Sequence, residues 1–213
     1  MARKRISEQP HRTILIVTAT EAEALYFSQM RKDCRFSNMT VVWEENFKDL
    51  ENLITLASRY RNSGKYSVVW VLFGFADLGV SAQQVKQMLA HAKQKKVQLA
   101  WTNPCLPLWY LLHLQVPRGF VDDPKMIESV LGKPLGGFSS DASYLLTEGM
   151  YLHLKLYPAK SKAAINANTY NNLVEDRLGL PATNIVSMLN EITDICGLAD
   201  LTHNQKQLGM KKG

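Results

Sequence analysis

Acidic side chains just beyond the ends of apolar, β-branched runs are the residues through which this chain could do chemistry. Glu21 and Glu23 follow the run 13–18 (TILIVT), and Asp77 follows the run 67–73 (SVVWVLF). Carboxylates at such places can hold Mg²⁺ or Mn²⁺, ions that take one or two carboxylates and complete their shell with water and phosphate oxygens. Two-metal cleavage of a phosphodiester needs more acids than that. Glu23 and Asp77 are the candidate metal ligands, and together with His113 the candidate catalytic groups. Thr20, Glu21 and Asn103 are candidate binding residues at the same ends. Each also has a plainer reading. Thr20 and Glu23 have the spacing of a capping box, and Glu21 lies where the helix dipole favours negative charge. Asp77 before Leu78-Gly79 suits a turn, Asn103 can bond loop backbone, and His113 sits in an apolar stretch where a histidine is commonly a satisfied core group.

These residues are positioned by alternating elements. The runs 13–18, 39–43 (MTVVW), 67–73 and 97–102 (VQLAWT) read as strands, the last stopped by Asn103-Pro104. Helices are predicted over 21–32, 47–60 and 82–95, each with apolar residues in 3.6-residue step, and Ser81 with Gln84 forms a second capping box. Strand and helix alternate with short connections, so an open parallel sheet with right-handed crossovers is the economical arrangement. Ligands then bind beyond the carboxyl ends of the strands, where the strand order switches. After Leu114 the pattern becomes helical: a short helix begins at Asp123-Pro124 and ends at Gly132, and Gly136-Gly137 with Ser139-Ser140 marks a join. Helices follow near 142–156, 169–178 and 183–196. The expected organisation is a basic arm (1–12), an α/β core (13–115), a helical region packed on it (116–200) and a basic tail (201–213).

The net charge of +6 and a pI near 9.2 favour contact with polyanions. Arg3, Lys4 and Arg5 in the arm are candidate phosphate contacts, although a solubilising tail has the same composition. The set Lys93, Lys95 and Lys96 reads by default as a solvated helix end. Cys34, Cys105 and Cys196 form no C-x-x-C pair, which argues against a zinc site and a disulfide framework and suits a reducing cytoplasm. Neither a membrane span nor a secretory signal is expected. Phosphate-loop, dinucleotide-loop and nucleophile-elbow signatures are absent.

ILIV at 14–17 followed by Tyr26-Phe27, VWVLF at 69–73, TNPCLPLWYLLHL at 102–114 and LPATNIVSMLNEI at 180–192 occur in an order that resembles the RloB-like proteins. That family reads ILIV, a turn such as EGEKTE, a Tyr-Phe pair, an Asp-x-Asp strand end, SNPCFELWLLLHF and an NPST-containing segment. The resemblance implies a TOPRIM-like sheet of about four strands with flanking helices and a helical C-terminal region. It further implies a link to abortive infection and restriction-modification loci, an ABC-type or AAA ATPase as partner, and a metal-dependent nuclease ancestry. The acids, however, depart from the pattern. Thr18-Ala19 or Ala19-Thr20 stands for the first Glu-Gly, Gly74–Phe75–Ala76 for the Asp-x-Asp, and Pro107 for the Glu after NPCF.

Two functions remain open on the residues. One is a degenerate protein that acts by binding nucleic acid or the partner ATPase, without a cofactor. The other is an active Mg²⁺- or Mn²⁺-dependent nuclease with a rearranged site drawing on Glu21, Glu23, Asp77 and the acids Asp122, Asp123, Asp141 and Glu148. A nucleotide binder is a third possibility, and a homo-oligomer is compatible with each.

Overall fold

Four apolar runs become four strands of one sheet in the computed structural model, which describes residues 12–199 and 201. The strands are β1 (Ile14–Thr18), β2 (Met39–Trp43), β3 (Val68–Gly74) and β4 (Gln98–Thr102). They pair in parallel in the order β2-β1-β3-β4. β1 is inaccessible along its whole length, as its unbroken apolar run requires of a strand covered on both faces. The chain leaves β1 for one edge and returns past it to β3, so the order reverses between β1 and β3. The crevice of an α/β sheet opens at such a point.

Three crossover helices cover the sheet: α1 (Glu21–Asp33) on one face, α2 (Leu50–Asn62) and α4 (Ala82–Gln94) on the other. Both predicted capping boxes form, Thr20 with Glu23 and Ser81 with Gln84. Asp49 caps α2 through the Asn52 N–H. The segment after β3, read above as a turn, is the single-turn helix α3 (Phe75–Leu78), closed by Gly79 at φ 61°. Gly79 takes the left-handed conformation that ends many helices.

The remaining helices are α5 (Pro107–Leu114), α6 (Pro124–Gly132), α7 (Ala142–Leu146), α8 (Leu152–Leu156), α9 (Lys160–Leu178) and α10 (Ile185–Cys196). α5 is buried from Pro107 to His113, which its near-absence of polar residues demands. It shares a core with α1, α9, α10 and one sheet face. Several helix predictions need correction, beginning with the one expected from 47, which starts at Leu50 because Asp49 caps it. The helix expected over 142–156 is broken into α7 and α8, because Gly149 lies against the Tyr144 ring in the intervening turn. The helix expected from 169 starts nine residues earlier, at Lys160. Its buried stripe begins with Ala163 and Ala167, which are too small to mark an apolar face in sequence.

β4 is an edge strand, and the segment 181–184 seals it. Asn184 accepts from the Trp101 N–H at 2.7 Å and donates to the Leu99 carbonyl at 2.8 Å. Thr183 Oγ1 donates to the Trp101 carbonyl at 3.0 Å, and the Asn103 N–H donates to the Ala182 carbonyl at 2.8 Å. Asn171 on α9 grips Thr183 from behind, through both its amide atoms. Covering an edge in this way removes a template for unwanted strand pairing. It also accounts for the start of α10 at Ile185, two residues later than expected: the side chain of Asn184 is committed to β4 and does not cap the helix, and Thr183 Oγ1 accepts the Ile185 N–H instead. No described helix is long and apolar enough to cross a membrane.

Candidate functional site

Glu23 is drawn into the crevice by the first turn of α1 and is only 1% exposed. Its Oε2 accepts the Ala19 N–H at 3.1 Å and the Thr20 N–H at 3.0 Å, while Thr20 Oγ1 accepts the Glu23 N–H at 3.2 Å. The capping reading is therefore correct, but it uses one oxygen. Oε1 is buried with no hydrogen-bond partner. Burial first, and then the negative charge of Asp77, raise the Glu23 carboxyl well above the usual carboxylate range, against the hydrogen bonds from Thr20 and Ala19.

Asp77 arrives from β3 by way of α3. The residue is open to solvent at the rim, while its carboxyl group folds back over Gly74, whose N–H holds it. Desolvation there pushes it up to about 6. A Cβ at position 74 would collide with the Asp77 carboxylate and lie 2.9 Å from Cys105 Cα. Asp77 thus fills space that a side chain at the end of β3 would occupy. The neighbouring Cys105 thiol is raised by burial and then by Asp77 and Glu23.

Glu23 and Asp77 line one cavity of about 110 Å³ with Thr20, Cys105, Tyr110 and Ser140. Ser140 Oγ is also buried and unpartnered. No lysine or arginine is among the described residues of its wall. Two carboxylates and an orphaned hydroxyl without a counter-ion complement a cation or a hydrogen-bond donor, and they repel a bare phosphate. Glu23, Asp77 and Ser140 could hold one Mg²⁺ or Mn²⁺ if water and substrate oxygens completed the shell. Among the described residues no group of three or more His, Cys, Asp or Glu is placed to hold a metal ion.

The other candidates lie elsewhere. Glu21 is exposed on the first turn of α1 and lines no part of the cavity. Asp123 caps α6, Asp141 bonds Ser139, Glu148 bonds Thr147, and Asp122 is exposed, so these acids do not converge on Glu23 and Asp77. Asn103 serves the β4 edge through its backbone. His113 faces a separate cavity of about 300 Å³, beside His153 and Trp109. Its Nδ1–H donates to the Trp109 carbonyl at 2.8 Å, and burial lowers it to about 4, so it is neutral at pH 7. Arg3, Lys4 and Arg5 lie outside the described residues. Ser140 and Cys105 carry no signal in the sequence as pocket residues, since only folding brings the Ser139-Ser140 join and the segment after β4 beside Glu23 and Asp77.

The raised Asp77 carboxyl has a measurable consequence. A carboxyl that binds its proton more tightly when folded adds stability below its unfolded value, about pH 4, and that contribution is lost as pH rises through about 6. Denaturation midpoints taken across this window should fall less steeply in Asp77→Asn than in the parent. Identical slopes would show that Asp77 is solvated like a free side chain.

A family model described as RloB-like protein matches residues 14–192, most of the chain. The chain belongs to the RloB-like protein family. No curated protein and no solved structure matches it. The family match contains the whole sheet, the Glu23–Asp77 cavity and the segment that seals β4. In this RloB-like chain the crevice opens where the strand order reverses, and the acids among the described residues of its wall are Glu23 and Asp77.

Proposed function

We propose that this RloB-like protein is a TOPRIM-type component of a prokaryotic anti-phage, abortive-infection system. It is catalytically degenerate and acts in the cytoplasm by binding, with nucleic acid or an ABC-type or AAA ATPase as its partner. The observation that carries this reading is the acid count in the crevice. Two carboxylates reach the cavity, one of them with an oxygen committed to a helix cap. A two-metal site bridging ions about 4 Å apart needs more ligands than these. The test is a cleavage assay on DNA and RNA with Mg²⁺ or Mn²⁺, with and without an ABC-type or AAA ATPase if one is encoded beside it. Products should not exceed background. Cleavage that disappears in Asp77→Ala or Glu23→Ala would overturn the proposal.

One observation favours a second reading, an active nuclease with a rearranged site. The Asp77 carboxylate occupies the space over Gly74, so a displaced acid stands close to where a strand-end acid would project. A single bound Mg²⁺ would supply Lewis-acid polarisation of a phosphoryl oxygen. Glu23 and Asp77 would hold it, and Ser140 would orient a water or a phosphate oxygen. The same assay separates the two readings.

A further inference from the structure

Topology segregates charge along the α/β core. All four strands run in one direction and the crossover helices return, so helix N-termini gather at the Glu23–Asp77 edge and helix C-termini at the opposite edge. α2 and α4 lie side by side on one sheet face. The end of α2 and its following loop carry Arg59, Arg61 and Lys65, and the end of α4 carries Lys93, Lys95 and Lys96. Arg59, Lys65, Lys93 and Lys96 are exposed, with Arg61 and Lys95 half-buried. None of the six is in an ion pair among the described residues. From residue 52 to residue 121 the chain has eight lysines and arginines against a single acid, Asp77, which lies at the other edge.

Cations in a last helical turn suit the helix dipole, which accounts for Arg59, Arg61 and Lys93. It does not account for Lys65 or Lys96, which lie beyond the helices, or for the missing acids. Lys96 stands at φ 58°, a conformation in which glycine is the easier residue.

We propose that this edge is a sequence-independent nucleic-acid-binding face that grips the phosphate backbone of a duplex. It is a surface apart from the acidic cavity and does not depend on cleavage. Six cations in no ion pair among the described residues, at two adjacent helix ends and the loop after α2, match a polyanion carrying one charge per ~1.7 Å of duplex axis; of these Arg61 also donates to the Tyr66 carbonyl. An anionic membrane fits less well, because adsorption draws on inserted apolar side chains. Leu89, at 38% exposure, is the one large exposed hydrophobic residue among those of α2 and α4.

Fluorescence anisotropy of short labelled DNA and RNA duplexes with the full chain tests the proposal. The triple variant Arg59→Gln/Lys93→Gln/Lys96→Gln should bind at least about tenfold more weakly near 0.1 M salt. The slope of log affinity against log salt should shrink by about 2.7, three contacts at about 0.9 each for B-DNA. The control Lys125→Gln/Lys133→Gln, on α6 and just beyond its end, should bind like the parent. Thermal melts establish that each variant is folded. The proposal is overturned if a folded triple variant binds like the parent, or if the parent binds no duplex. Binding to phosphatidylserine vesicles but not to duplexes overturns it as well, as does an equal loss of binding in Lys125→Gln/Lys133→Gln, which would show that total charge and not this face holds the duplex.

Discussion

Asn184→Ala is expected to lower the free energy of unfolding by about 2–4 kcal/mol. Its side-chain amide acts as one peptide unit of a missing fifth strand, accepting from Trp101 N–H and donating to the Leu99 carbonyl. Truncation strips partners from two backbone groups of β4, and each unpartnered group costs roughly 1–3 kcal/mol where water cannot replace the bond. Asn184 is half-buried, which holds the sum below the upper limit. Asn184→Asp keeps the acceptor and loses the donor, so it should retain part of the stability. Urea denaturation reads both variants, and a loss under about 0.5 kcal/mol for alanine would show that water serves β4 equally well. The same sealing segment also accepts Trp101 Nε1–H at the Pro181 carbonyl, at 2.9 Å, so the C-terminal region and the sheet should unfold together.

Gly74→Ala is the second large effect, with an expected loss of about 1–3 kcal/mol from overpacking. The Asp77 carboxylate can swing away from a new Cβ, but Cys105 Cα, at 2.9 Å, is backbone and cannot. Adding Asp77→Gly to Gly74→Ala should therefore restore only part of the stability. Full restoration would show that the Asp77 contact alone excludes a side chain at position 74. For the same reason, Gly74→Asp is not a route to a restored strand-end acid. The backbone at 104–105 has closed over the place, and the Ala76 N–H donates to the Pro104 carbonyl at 2.8 Å.

Local rules carried much of this protein. Apolar, β-branched runs specified four parallel strands, and the spacing of Thr20 with Glu23 and of Ser81 with Gln84 specified two helix starts, because such interactions reach only a few residues along the chain. That Gly74, Ala76 and Pro107 carry no carboxylate was equally legible, since residue identity needs no geometry. Four things depended on tertiary contact. That Glu23 both caps α1 and leaves Oε1 free follows from burial under α5 and the Ser139-Ser140 join, over a hundred residues away in sequence. That Asp77 stands in for a residue at 74 follows from the one-turn helix α3. That Asn184 completes a sheet rather than capping a helix follows from the open edge of β4. That the Lys93–Lys96 set is joined by Arg59, Arg61 and Lys65 follows from parallel pairing, which sets the ends of α2 and α4 side by side. In each case the deciding partner is remote in sequence, where neither periodicity nor motif spacing carries a signal.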